Sequence, residues 1–460
     1  MERTKRGILS LFSRDVAMTD GPILKNFIIY LVPLILSMLL QLAYNAVDLM
    51  VLGNFAGESA VASVGATTYI VNILVLLANM HVGYGMLLGR YFGKGDREKV
   101  KAVNSAAIVF TLAFGIISLV VGWVLAEPLL ILTKCPESVI DGAVIYLRIY
   151  TLSIPGTFVY NFFSNLLRVS GDTRSPFVYL FISGLVNVGL NLLFVLGLNM
   201  PIEGVAIGTT ASIYVSVALL LRKLMKREGI SRLELSLRFS FGDLFKMLRY
   251  GLPNAISCCT FSIANVIIQS TINSYGDAAI AGSTASMTIE NVIFGVSGTF
   301  TAAVMAFIAQ NVGAGNRDRV IKIRRKAHGL SFVAITALCL IAILFGKPLI
   351  SIFIPGATEA IEFGYVRLLY VALAAVLHSL ISVNNGVLIS FGYTSFQMLH
   401  NLFGIVVFRC IWLFWIYPIS PTPTMLFMVY PISLAITATV GSVMAAIIVG
   451  KYKKGKNFAV

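Results

Sequence analysis

Apolar residues run through this chain in long unbroken stretches. Charged residues, glycines and prolines separate twelve of them, at about 27–52, 64–91, 103–125, 141–168, 177–198, 204–221, 250–273, 284–312, 328–346, 364–390, 397–417 and 424–449. Each is about the length a helix needs to cross hydrocarbon. None shows the apolar–polar alternation of barrel strands. Only helices and closed barrels satisfy every backbone group inside a bilayer. The pattern therefore predicts an all-α polytopic membrane protein with twelve transmembrane helices.

The loops carry a second pattern. With the N-terminus, the even-numbered loops and the C-terminus on one side, that side holds 29 Lys and Arg, and the odd-numbered loops hold 2. Positive charge stays inside. Both termini are expected in the cytoplasm and the chain in the cell (inner or plasma) membrane. A third pattern is an internal repeat. Tyr30-Leu-Val-Pro33 returns as Tyr250-Gly-Leu-Pro253, and Gly93-Lys-Gly-Asp-Arg97 as Gly313-Ala-Gly-Asn-Arg317. Pro128 returns as Pro348 and Arg148 as Arg367. The offset stays at 219–220 residues, so each half holds six spans with the same orientation, two pseudo-symmetric six-helix lobes. The expected organisation is a cytoplasmic segment 1–25, an N-lobe 26–221, a basic linker 222–249, a C-lobe 250–450 and a basic tail 451–460.

Composition narrows the class. Of 460 residues 58% are apolar and 12% charged, which excludes a soluble globule. The net charge of +15 sits in loops beside apolar runs, and reads as topology and contact with the lipid bilayer rather than nucleic-acid binding. The first 25 residues hold five basic side chains but no apolar stretch ahead of the first span, the pattern expected without a cleavable leader. Five cysteines and four histidines show no metal-ligand spacing. No phosphate-binding loop, nucleophile elbow or HExxH appears, so no enzyme activity and no cofactor is expected.

Ionisable groups inside spans are costly and mark function. Two acids lie well inside spans, Asp48 and Glu290. Gln41, Tyr44 and Asp48 fall at i, i+3 and i+7 on one helix face. Span 5 offers a matching stripe, Asn187 and Asn191, and its direction places them at the depth of Asp48. One acid and two amides there suit a proton or Na⁺. Glu290 is a second candidate for cation or proton coupling. Arg148 and Arg367 are expected to snorkel to the interface, and Arg409, in span 11, has no partner that the sequence names. Pro33, Pro155 and Pro253 interrupt spans 1, 4 and 7 and are candidate hinges.

Several of these stretches, in this order, resemble the multidrug and toxic compound extrusion (MATE) family. They are Met18-Thr-Asp-Gly-Pro22, Pro33, Gln41-x-x-Tyr44-Asn45-x-x-Asp48, Gly93-x-Gly-Asp-Arg97, Leu167-Arg-x-x-Gly-Asp172, Asn187-x-x-x-Asn191, Gly204-Val-Ala-Ile-Gly-Thr209 and Ala309-Gln-Asn-x-Gly-Ala-Gly315. The likeness covers about 18–450, and the residues ahead of Met18 have no counterpart in it. It implies two six-helix lobes in a V around a central cavity. It also implies a secondary antiporter, exporting organic cations, drugs or other small amphipathic compounds in exchange for H⁺ or Na⁺ by alternating access. Carried over, the span 1 acid is Asp48, with Gln41 and Tyr44 beside it, and the span 5 amide is Asn187. The span 4 Asn is Asn161 and the span 6 Thr is Thr209, both candidates for the substrate cavity. Many relatives place an Asp four residues after the span 5 Asn. Here it is Asn191, which cannot titrate, so Asp48, Asn187 and Asn191 form a possible Na⁺ site while H⁺ coupling stays open. A monomer is expected. A flippase of lipid-linked or amphipathic substrates on a related fold is the alternative, and a channel a more distant one.

Overall fold

The computed structural model describes residues 15–234 and 239–456, apart from the side chains of Asn45, Leu49 and Glu58. The first fourteen residues of the N-terminal segment, 235–238 of the linker and the last four of the tail lie outside this range. Among the described residues all regular structure is helical. Ten helices are long and apolar enough to cross a membrane, and two bent pairs bring the number of spans to twelve. The bent pairs are spans 2 and 4. Span 2 turns by 42° where Ser59–Leu74 gives way to Leu76–Lys94, and span 4 by 44° between Glu137–Thr151 and Ile154–Val169. Pro155 stands in the first turn after the second break, where its missing N–H costs no hydrogen bond. Pro33 and Pro253 instead lie inside continuous helices, Ile23–Phe55 and Phe241–Asn273.

The chain forms two compact units. Of the described residues, the first takes those up to Ala17 and those within Val32–Leu252, and the second takes Met18–Leu31 and those from Pro253 on. This differs from a division within the basic linker. The described linker residues belong to the first unit, and span 6 extends as Pro201–Lys226. The start of span 1 packs in the second unit: the Phe27 ring lies 5.2 Å from Phe307, and Tyr30 meets Phe307 edge-on at 5.3 Å. There Arg319 also donates to the carbonyls of Met18, Asp20 and Gly21. The start of span 7 packs in the first unit, where Lys99 approaches Asp243 at 3.9 Å. Both crossings fall within two residues of a proline, Pro33 and Pro253.

Within the first unit Val51, Leu52, Ala60, Tyr146, Val195, Val205 and Ala206 form a buried cluster just beyond Asp48. The second unit has its own core, which includes Ile405, Trp412, Phe427 and Tyr430. Large apolar side chains also remain on the outside, among them Ile116, Ile117, Val120 and Val124 on span 3. On a soluble protein such a face would be a liability; on a spanning helix it is the lipid-facing side. Two short helices, Ala126–Leu132 and Gly346–Ser351, follow spans 3 and 9 at repeat-related positions.

Candidate functional site

The polar stripe of span 1 meets spans 4, 5 and 6 around a cavity of about 300 Å³ in the first unit. Gln41, Tyr44, Asp48, Asn161, Asn187 and Thr209 all line it. The structure thus brings together every substrate-cavity candidate and two of the coupling candidates. Asn191 stands directly behind Asp48 and is 0% exposed.

Asp48 is half-buried and anchored from two sides. Asn191 Nδ2 donates to its Oδ1 at 2.6 Å, and Thr209 Oγ1 donates to its Oδ2 at 3.4 Å. Asn187 Nδ2 reaches Thr209 Oγ1 at 3.3 Å, and Asn191 Nδ2 also lies 3.4 Å from Asn187 Oδ1. Spacing of i and i+4 stacks the two amides on one face of span 5, so Asn191 reaches the carboxylate directly and Asn187 reaches Thr209, which bonds it from the other side. The close approach is set by small residues. Asn191 Oδ1 lies so near Gly208 of span 6 that a Cβ there would overlap it. Likewise, a side chain at Gly184 would collide with the Tyr44 ring, whose hydroxyl donates to the Leu180 carbonyl. Directly after Asn191, span 5 widens into π-helical turns over Leu193–Gly197, a distortion that recurs at functional positions.

Asn191 Oδ1 is buried and without a hydrogen-bond partner among the described residues. Buried polar atoms rarely stay unpaired without a reason. Here the orphan acceptor sits on the residue bonded to the carboxylate. Among the described residues no Lys, Arg or His lines the cavity, and no ion pair reaches Asp48. The site therefore offers one negative charge with neutral amide and hydroxyl oxygens. Such hard donors suit a proton or Na⁺. No group of three or more His, Cys, Asp or Glu gathers among the described residues.

Glu290 does not join this site. It belongs to the second unit, where Arg367 Nε donates to Oε1 at 2.8 Å and Nη2 to Oε2 at 2.9 Å. Ser286 Oγ adds a third bond at 2.8 Å. Both oxygens are occupied by a two-point ion pair, which argues against Glu290 as a second coupling acid. Arg367 correspondingly does not snorkel: it is 1% exposed, and the expectation of an interfacial role is corrected. The pair spans 77 positions, and nothing in local spacing announces it. Polar cavity residues beyond the sequence reading include Tyr150, Thr157, Ser183, Ser212 and Ser216. A signal for three of them exists: Ser183 lies one turn before Asn187, and Ser212 and Ser216 follow Thr209 on the same face.

Two repeated six-span halves, with a polar cavity enclosed by apolar helices, define a membrane transporter. Comparison with known proteins gives the family. The MatE family model matches residues 33–193 and 253–415, one segment in each half, and the chain belongs to that family. Among curated relatives, the probable multidrug resistance protein YpnP of Bacillus subtilis is 28% identical over 398 residues, covering 85% of this chain and 88% of that protein. YoeA of the same organism, also a probable multidrug resistance protein, is 28% identical over 342 residues, covering 72% and 73%. A crystal structure of MATE in complex with MaL6 superimposes with a TM-score of 0.88 over 96% of this chain and all of that one, at 20% identity. The chain is a multi-pass membrane transporter and not an enzyme.

Proposed function

We propose that this protein exports small cationic or amphipathic compounds from the cell by alternating access, in exchange for a monovalent cation, H⁺ or Na⁺, that binds at Asp48. The observation that carries this reading is the lone carboxylate. Asp48 faces a cavity with no basic side chain, and its partners Asn191 and Thr209 are neutral. A charge inside a span is kept only where it is used or neutralised, and among the described residues no cation pairs with Asp48. A counter-cation at Asp48 and a cationic cargo in the same cavity exclude each other electrostatically, which is the linkage an antiporter needs. The relatives named as multidrug resistance proteins support drug-like cargo. A flippase for anionic lipid-linked cargo would call for a basic cavity, which the Asp48 cavity is not.

Pro33 and Pro253, where the chain passes between units, act in this reading as the hinges of spans 1 and 7, and Pro155 fixes the bend of span 4. In this reading the protein lies in the plasma membrane with both termini on the cytoplasmic side, a topology the basic loops support, and acts as a monomer. The test is uptake of a cationic dye into proteoliposomes under separately imposed pH and Na⁺ gradients. Uptake driven by one of the two supports the reading. Dye movement indifferent to both gradients overturns it.

A further inference from the structure

The second unit contains a buried cation that its own residues leave half-used. Arg409 sits on a four-residue α-helical stretch, Phe408–Ile411, between π-helical turns at Leu402–Val407 and Trp412–Ile416. Two such distortions around one residue aim its side chain where a regular helix would not. Arg409 is 0% exposed. Its Nε donates to Ser433 Oγ at 3.3 Å, and its guanidinium lies 4.3 Å from the centre of the Tyr430 ring. Both terminal nitrogens, Nη1 and Nη2, are buried with no hydrogen-bond partner among the described residues.

The nearest acid does not answer this charge. Glu290 has both oxygens engaged by Arg367. The cluster thus sets two guanidinium groups against one carboxylate and keeps a surplus positive charge. Arg409 and Glu290 open onto a cavity of about 230 Å³. Phe261, Phe294, Met287 and His378 form much of its wall. The His378 ring meets Phe261 and Phe294 edge-on, at 5.2 and 5.0 Å, and its Nδ1 is taken by Ser297 at 2.9 Å. Along the repeat, Phe261 stands 220 residues after Gln41, so this is the second unit's counterpart of the Asp48 cavity.

A guanidinium whose two outer nitrogens lack partners is a planar fork that matches a carboxylate or phosphate once a side-chain rotation brings it to the cavity face. Aromatic walls and a methionine beside it accept a flat ring. We propose that this cavity binds the anionic end of an aromatic carboxylate or aryl phosphate, with the oxyanion on Arg409 and the ring against the wall that Phe261 and Phe294 form together, their own centroids 5.8 Å apart. The volume suits a single-ring compound. This site is separate from Asp48 and does not depend on the coupling reading.

The test is calorimetric titration of the purified full-length protein in lipid nanodiscs. The probes are salicylate, phenyl phosphate, inorganic phosphate and benzyltrimethylammonium. Salicylate and phenyl phosphate are expected to bind one per chain and to compete, with inorganic phosphate and benzyltrimethylammonium at least about tenfold weaker in that competition. Arg409→Met should weaken salicylate by about tenfold or more, and Arg409→Lys, which keeps the charge but not the fork, by less. Asp48→Asn should bind salicylate as the wild type does, so failure of the coupling reading would leave this result standing. If Arg409→Met does not fold, the lysine variant and the wild-type competition decide. No salicylate binding, equal binding by inorganic phosphate, or unchanged affinity in the folded Arg409 variants overturns the proposal.

Discussion

Asn191 Nδ2 lies 2.6 Å from Oδ1 of Asp48, a contact that joins spans 1 and 5 across 143 positions. The amide ties down the acid that lines the first unit's cavity without matching its charge. Substituting the amide should therefore change how the acid responds to protons. In Asn191→Asp two carboxylates face each other at hydrogen-bond distance and resist double ionisation. If protons drive transport, the optimum of dye uptake should move toward alkaline pH by about a unit or more. If Na⁺ drives it, Asn191→Asp should instead raise apparent Na⁺ affinity at neutral pH. The measurement is uptake across a pH series with and without Na⁺.

Glu290 and Arg367 form a structural pair in the second unit, and breaking it from one side leaves a buried charge uncompensated. Glu290→Gln should cost on the order of 3–5 kcal/mol of stability. Thermal unfolding in detergent, followed by size-exclusion of the surviving fraction, reads this. Glu290→Gln combined with Arg367→Met should recover much of the loss, because the orphaned guanidinium is then gone. A Glu290→Gln variant of wild-type stability would show that the pair is not what holds spans 8 and 10 in register.

Gly184 makes room for Tyr44, whose hydroxyl bonds to the Leu180 carbonyl. Gly184→Ala should push the ring into the cavity and raise the KM for dye more than it lowers the maximal rate. Tyr44→Phe removes only the hydrogen bond and should cost about 0.5–1.5 kcal/mol, with a smaller change in KM. Initial rates over a range of dye concentrations separate the two.

How much of this was legible in the sequence depends on the physics behind each signal. The twelve spans and the repeat were legible because hydrocarbon imposes a length and forbids unpaired backbone. The Asp48 constellation was legible because helical periodicity places Gln41, Tyr44 and Asp48, and then Asn187 and Asn191, on single faces. The Arg367–Glu290 pair was not, since it depends on how spans 8 and 10 pack. The π-helical turns around Arg409 leave no composition signal, so its orphaned nitrogens were invisible too. The exchange of helix starts between units leaves no local sequence signal either. Chain connectivity suggested a cut in the linker, whereas Phe27 and Tyr30 pack against Phe307.

The central claim is that Asp48 carries the coupling charge. It is tested most directly by Asp48→Asn in proteoliposomes, beside wild type, with dye uptake driven by the effective gradient. Asparagine keeps the size and an acceptor for Thr209; it loses the charge and turns a donor toward Asn191, which a flip of the Asn191 amide meets with its unpartnered Oδ1. The account predicts a monodisperse, normally reconstituted variant whose gradient-driven uptake falls to the level of empty liposomes. Uptake by Asp48→Asn at the wild-type rate, still responding to the gradient, would contradict it.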